Sequence, residues 1–252
     1  MKQIIFSLLA VVLLTSCGGS QKITTKGEHY ASLYNDMPLT LLVMPPINNT
    51  QDVEAKDLLY TSVSRPLAEC GFYVISPQLG MDVLKAEGAY DAEEFIDKPL
   101  NKFHDLFGAD AVVFSEIKKW KKRSVFAPKI QADVRYVIKS TKTNEILFDR
   151  ECNATIDMRA DNSNATFNGP LFQLIRLIGS IFTTAKTDNV VAARLANCII
   201  FKDIPRGQYS PNHMKDKESA AGASNISATY KLKDVPLSNI LFVGGGYPAE
   251  EK

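Results

Sequence analysis

Leu39-Thr40-Leu41-Leu42-Val43-Met44, closed by Pro45-Pro46, is a short apolar run with no polar face, and its reading decides the fold. An alternating run would leave one side of a strand wet. A continuous one predicts a strand buried on both faces, as in a parallel sheet. Ala55 to Glu69 follows with Leu58, Leu59, Val63 and Leu67 at helical spacing, ended by Gly71. Phe72-Tyr73-Val74-Ile75-Ser76 is then a second strand, stopped by Pro77. Strand, helix and strand within about 35 residues predict a right-handed parallel crossover.

Beyond this unit, Gln78 to Glu87 reads as a short helix ending at Gly88. Asp91 to Phe107 reads as another, with Asp91, Glu93 and Glu94 where the helix dipole favours them. Gly108-Ala109-Asp110 leads into a third strand, Ala111 to Ile117, running on toward Lys118-Lys119-Trp120-Lys121-Lys122-Arg123. Ile130, Ala132, Val134, Tyr136 and Ile138 then alternate with Gln131, Asp133 and Arg135. A turn at Thr141–Asn144 returns the chain through Ile146-Leu147-Phe148 toward Ile156, an antiparallel hairpin. The expected class is α/β (α+β): a mixed sheet with a parallel start and an antiparallel second half, helices packed on it, and a helical extension after it. Asp161 to Gly169 is a polar loop, Leu171 to Ala185 and Asp188 to Phe201 are helical, and Lys215 to Asn225 has the composition of a mobile linker. Asn239-Ile240-Leu241-Phe242-Val243 reads as a last strand.

The amino terminus predicts where the protein works. Lys2 precedes Ile4 to Leu14, a charge-free stretch of secretory-signal length and too short to span a bilayer. Leu14-Thr15-Ser16-Cys17 resembles the lipobox of bacterial lipoproteins. Leu14, Thr15 and Ser16 would then be read by signal peptidase II, and Cys17 would carry diacylglycerol and an N-acyl chain. The expected divisions are a signal peptide over 1–16, a lipidated flexible tether over 17–29, one α/β domain over 30–212 and a partly flexible extension over 213–252. Gly18, where enterobacterial inner-membrane lipoproteins favour Asp, is compatible with the outer membrane. The whole chain has 29 Lys and Arg against 28 Asp and Glu, and removal of Lys2 leaves 28 against 28. Such a balance supplies no long-range attraction to nucleic acid or anionic headgroups, so membrane attachment falls to the lipid.

Pro45-Pro46-Ile47-Asn48-Asn49, Leu67-Ala68-Glu69-Cys70-Gly71-Phe72-Tyr73-Val74, and Gly108-Ala109-Asp110-Ala111-Val112-Val113-Phe114 with Ile117 and Trp120 occur in this order. The hairpin ending at Leu147-Phe148 and Ile204-Pro205-Arg206-Gly207-Gln208-Tyr209-Ser210-Pro211 complete the set, across roughly residues 38–212. Together they resemble a family of bacterial lipoproteins of unknown function, typified by a surface antigen found by genome mining of meningococcus. That resemblance implies a fold like the amino-terminal domain of TolB and the periplasmic domain of the curli secretion lipoprotein CsgG. It also implies an outer-membrane accessory or assembly role beside a CsgG-like channel, facing the periplasm. It carries over no catalytic residue. Ile204 and Gln208 stand where Leu and Pro are common.

Candidate sites are few. His29, His104 and His213 have no Cys, Asp or Glu at metal-ligand spacing, and no nucleophile elbow or phosphate loop is present. Neither a cofactor nor an enzymatic activity is expected. Cys70, Cys152 and Cys198, three after lipidation takes Cys17, read as buried thiols or as one disulfide plus one thiol. Asn48, Asn49 and Thr50 lie past the first strand, where they fit either a ligand loop or the cap of the next helix. The cations around Trp120 fit a partner contact or a solvated strand end. Leu171, Phe172, Leu174, Ile175, Ile178, Ile181 and Phe182 form the candidate partner interface, since both faces of that helix are apolar. Core burial, a homo-oligomer contact and a membrane surface all fit it, while Arg176 argues against a span. The expected function is a lipid-anchored subunit that binds envelope lipoproteins. The alternatives are a regulator of a peptidoglycan synthase and, less favoured, a hydrolase.

Overall fold

A computed structural model describes residues 24–123, 129–157 and 185–231. Cys17 with Leu14, Thr15 and Ser16, the 171–182 interface and the expected 239–243 strand lie outside the described residues.

Two short helices come first, α1 (Lys26–His29) and α2 (Ala31–Asp36), then β1 (Thr40–Val43) and β2 (Ile47–Asn48). Helices α3 (Val53–Ser62) and α4 (Ser64–Glu69) cross to β3 (Tyr73–Val74), and α5 (Pro77–Ala86) and α6 (Asn101–Phe107) precede β4 (Ala111–Arg123). The hairpin β5 (Lys129–Ser140) and β6 (Ile146–Asp157), helix α7 (Ala185–Phe201) and β7 (Asn225–Lys231) complete the order. One seven-stranded sheet runs β3-β1-β4-β5-β6-β7, with β2 paired to β4. β1 is parallel to both β3 and β4, and β4, β5 and β6 are antiparallel. The mixed α/β class and its parallel start therefore stand as expected.

Helices cover the sheet unequally. On one side α2, α3, α4 and α7 bury Leu59, Val63, Leu67, Leu195 and Ile200 against Val113, Val134, Tyr136, Ile138 and Ile156. On the other, α5, a 3-10 turn at Ala92–Glu94 and α6 bury Leu84, Leu100 and Phe103 against Leu42, Val112, Phe114 and Val137. β1 is apolar from Leu41 onward because it lies between both layers, with Leu41, Leu42 and Val43 at most 1% exposed.

Several expectations are corrected. The helix expected over Ala55–Glu69 breaks at Val63, since Pro66 has no N–H for the Ser62 carbonyl. The one expected over Asp91–Phe107 is a 3-10 turn and a separate seven-residue helix, because Pro99 disfavours helix in the residue before it. Residues 24–29 of the expected tether belong to the fold. Thr25 and Glu28 form a capping box, and the buried Lys26 ammonium reaches the Asp216 carboxylate at 3.3 Å. Backbone N–H groups of Lys26 and Gly27 donate to the carbonyls of Ser219 and Lys217, and Ala221 donates to Thr24. The mobile linker expected over Lys215–Asn225 is thus half of a clasp around the amino-terminal segment. It leads into β7, a strand not expected, which lies parallel to β6 from Glu151↔Asn225 to Asp157↔Lys231.

The closing Ile204–Pro211 motif has a packing role. Gly207 N–H donates to Cys70 O at 2.9 Å and Tyr209 N–H to Gly71 O at 3.0 Å. Gly71 sits at φ +95°, and a Cβ on Gly207 would collide with the Gly71 carbonyl.

Candidate interaction surface

The second helix layer stops at Phe114 and Val137, while β4, β5 and β6 continue past it. Beyond that edge the outward face of the sheet is polar. Arg135 donates from Nε and Nη2 to the two Asp149 oxygens at 2.8 and 2.6 Å. Lys118 donates to Glu151 at 2.6 Å, and Asn49 donates to Glu116 at 2.8 Å. With Ser224 and Asn225 at the start of β7, four of these charged residues line a groove of about 340 Å³. Hydrogen bonding to Glu151 raises the Lys118 ammonium above its ordinary value, and that to Asp149 raises Arg135. Burial and then the Glu151 charge push the Asp133 carboxyl up. A rigid array of donors and acceptors already paired with each other suits a polar protein surface that exchanges partners with it.

The register of β4 explains how its cations divide. Between Ile117 and Lys119 the pairing with β5 shifts by one residue, so Lys118 is the extra residue of a bulge. The bulge keeps Ile117 and Trp120 on the same buried side despite their odd separation. Trp120 is 5% exposed, with its indole N–H 3.4 Å from Asn189 Oδ1. Trp120 is therefore a core residue, and no partner contact in this stretch is anchored on it.

The other chemically capable groups are occupied with holding the fold. Arg150 is wholly buried; its guanidinium donates to Asp203, to the Tyr30 hydroxyl and to the Ile200 carbonyl, and lies over the Phe148 ring. Burial tends to raise the Asp203 carboxyl, but the Arg150 hydrogen bonds and charge, with the Gly222 N–H, hold it below its ordinary value. Tyr30 is pushed up to about 12 by burial, against the opposing Arg150 charge. Tyr136 donates to Asn197 Oδ1 at 2.5 Å, and Asn197 donates to Leu59 O and Ser62 Oγ, tying β5, α7 and α3. Cys70, Cys152 and Cys198 are free thiols. Burial pushes Cys70 up to about 12 and the other two to about 11, so they stay protonated and unreactive. His104 donates from Nδ1 to Ala109 O, and His213 from Nδ1 to Arg206 O.

Asn48, Asn49 and Thr50 are brought together after β2, but with their polar groups engaged. Asn48 Oδ1 accepts from Thr50 N–H and hydroxyl, and Asn48 Nδ2 donates to Asp52 O. Asp52 is the residue that caps α3, accepting from Ala55 N–H at 3.1 Å. Among the described residues no group of three His, Cys, Asp or Glu is placed to hold a metal, and no helix is long and apolar enough to cross a membrane. The polar face was half legible: Gln131, Asp133 and Arg135 alternate with the core positions. Their pairing with Asp149 and Glu151 needs the hairpin register.

Comparison with known proteins places the chain. The family model described as "Putative lipoprotein GNA1162-like" matches residues 28–204. A Neisseria meningitidis serogroup B protein, "Putative lipoprotein NMB1124/NMB1162", is 30% identical over 120 residues, 48% of this chain and 54% of that protein. The chain thus spans about half the length of that curated relative. The crystal structure of lipoprotein GNA1162 from Neisseria meningitidis aligns with TM-score 0.44 and 23% identity, over 58% of this chain and all of that one. Hypothetical protein CT253 of Chlamydia trachomatis aligns with TM-score 0.38 and 16% identity, over 66% of this chain and 92% of that one.

Proposed function

The chain belongs to the family of GNA1162-like lipoproteins, and on that premise we propose that it is a lipid-anchored envelope protein that acts by binding other envelope proteins, not by catalysis. Cys17 carries the lipid, Leu14-Thr15-Ser16 directs its cleavage, and the body faces the periplasm from the outer membrane. The partner is an envelope lipoprotein of the CsgG channel type.

The observation that carries this reading is the open half of the sheet. Exposed faces of antiparallel sheets are ordinarily polar, but here cross-strand ion pairs surround a groove on strands whose other side is fully buried. That combination gives a rigid docking surface at little cost in stability. The Cys70, Cys152 and Cys198 thiols and the Tyr30 and Tyr136 phenols are kept protonated by burial in the fold.

A photo-crosslinking residue at Gln131, in intact cells, followed by mass spectrometry, tests it. Capture of a channel-type lipoprotein, lost in Arg135→Glu, is the expected result. Capture of nothing, or the same capture after Arg135→Glu, would count against the face. Palmitate labelling of wild type but not of Cys17→Ser tests the anchor separately.

A further inference from the structure

We propose that the end of the fold carrying Met37, Tyr73, Tyr209 and Met214, with Lys215 beside them, is the face that rests on the phospholipid bilayer. This rests on Cys17 being lipidated, and adds which side of the body the lipid brings to the membrane.

The clasp fixes where the anchor leaves the fold. Thr24 and Lys26 are held against Asp216, Ser219 and Ala221, so only six residues separate the fixed segment from Cys17. Fully extended, that tether reaches roughly 25 Å. From Lys26 the chain runs through α1 and α2 to Asp36, at most about 16 Å of helical rise. Met37, which ends α2 with φ 48°, is therefore within the reach of the tether.

What lies at that end suits a bilayer. Gln208 donates to the Met37 carbonyl at 2.7 Å, and Met37, Phe72, Gln208 and His213 line one shallow groove. Tyr73, Tyr209 and Met214 each follow one of these residues in sequence and project to solvent. Met37 is 41% exposed, Tyr73 56%, Tyr209 67% and Met214 36%. Grouped apolar exposure of this kind marks an interaction surface. Tyrosines with an apolar ring and a wet hydroxyl settle at the headgroup level. Lys215, bonded to the Pro211 carbonyl at 2.9 Å, adds a cation for anionic headgroups. Val53, 78% exposed, lies toward the opposite end of the parallel strands, since it follows β2, which pairs midway along β4 at Glu116 and Ile117, whereas Tyr73 pairs with Thr40 at the start of β1.

The test uses acylated full-length protein in vesicles of phosphatidylethanolamine and phosphatidylglycerol with brominated acyl chains. Mass spectrometry first establishes the acyl groups. Tryptophan emission is then compared in Tyr209→Trp and Val53→Trp, with buried Trp120 giving the same background in both. Several-fold stronger quenching at position 209 is expected. Equal quenching, or stronger quenching at 53, overturns the orientation while leaving the anchor intact. A protein without acyl mass overturns the anchor and the orientation with it. Emission of Tyr209→Trp that shifts with protein concentration without lipid assigns the face to a second copy, and overturns the proposal as well.

Discussion

Arg135 on β5 and Arg150 on β6 each hold an aspartate, one from the open face of the sheet and the other from inside the core. The Arg135 side chain is 37% exposed and its partner Asp149 39%, whereas Arg150 is wholly enclosed and its partner Asp203 is 25% exposed. An exposed pair gains little over two solvated ions, and salt screens what it gains. A buried pair costs desolvation when it forms, so its consequence appears when one member is removed. Arg150 also connects four stretches of chain: β6, the end of α7 at Ile200, Tyr30 after α1, and through Asp203 the Gly222 segment. Arg135 connects neighbouring strands only. The same chemistry thus stands in two places, and only at Arg150 does it tie distant segments of the fold together.

The largest effect should follow from breaking the buried pair. Arg150→Met keeps the bulk but removes the guanidinium that joins Asp203, Tyr30 and Ile200, and should cost about 3–5 kcal/mol in denaturant unfolding. Arg135→Met should cost at most about 1 kcal/mol. Equal losses at the two sites would break the comparison. Next in size comes Gly207→Ala, whose Cβ would force the closing motif away from Gly71. Overpacking there should cost roughly 1–3 kcal/mol, and Gly88→Ala, at positive φ but with open space around it, should cost less in the same assay.

The two regions differed in how far sequence revealed them. The start of the sheet was legible because its signals are local: the run Leu39–Met44, helical spacing over Leu58–Leu67, and Gly71. The clasp and β7 were not. Lys215–Asn225 is composed of small and charged residues, and what orders it is Asp216, which accepts from Lys26, Tyr34 and the Arg206 N–H across long sequence separations. Arg150 sits between Asp149 and Glu151 in sequence and reads as surface; only the strand period, counted from Phe148, places it inward. The inward side of Trp120 was not readable, because a bulge alters that period. At the candidate site, alternation showed that Asp133 and Arg135 face outward, while the ion pairs depend on register.

Acid should separate the pairs further. Asp203 is held below its ordinary pKa of 3.8, so its share of stability is present above that value and is lost as pH falls through the lower folded-state pKa. Asp110 is lowered too: burial opposes the shift, but the Thr40 and Leu39 N–H groups and Lys142 outweigh it, adding to the same acid limb. Unfolding free energy of wild type should therefore fall below about pH 4. Asp203→Asn should start lower and lose less across that range. An unchanged acid slope in Asp203→Asn would show that Arg150 does not set the Asp203 charge.

The smallest effect sharpens the comparison most. A double-mutant cycle between Arg135 and Asp149 should yield a coupling of about 0.2–1 kcal/mol that declines as salt is raised, because both ends are in water. The cycle between Arg150 and Asp203 should yield a larger coupling with weaker salt dependence, because the guanidinium is enclosed and Asp203 is less exposed than Asp149. Bidentate geometry alone would make the two cycles alike, since both guanidiniums present two nitrogens to two oxygens. A coupling at Arg135–Asp149 as large and as salt-insensitive as the buried one would mean that the open face is a structural brace. The docking function assigned to it would then have to move elsewhere.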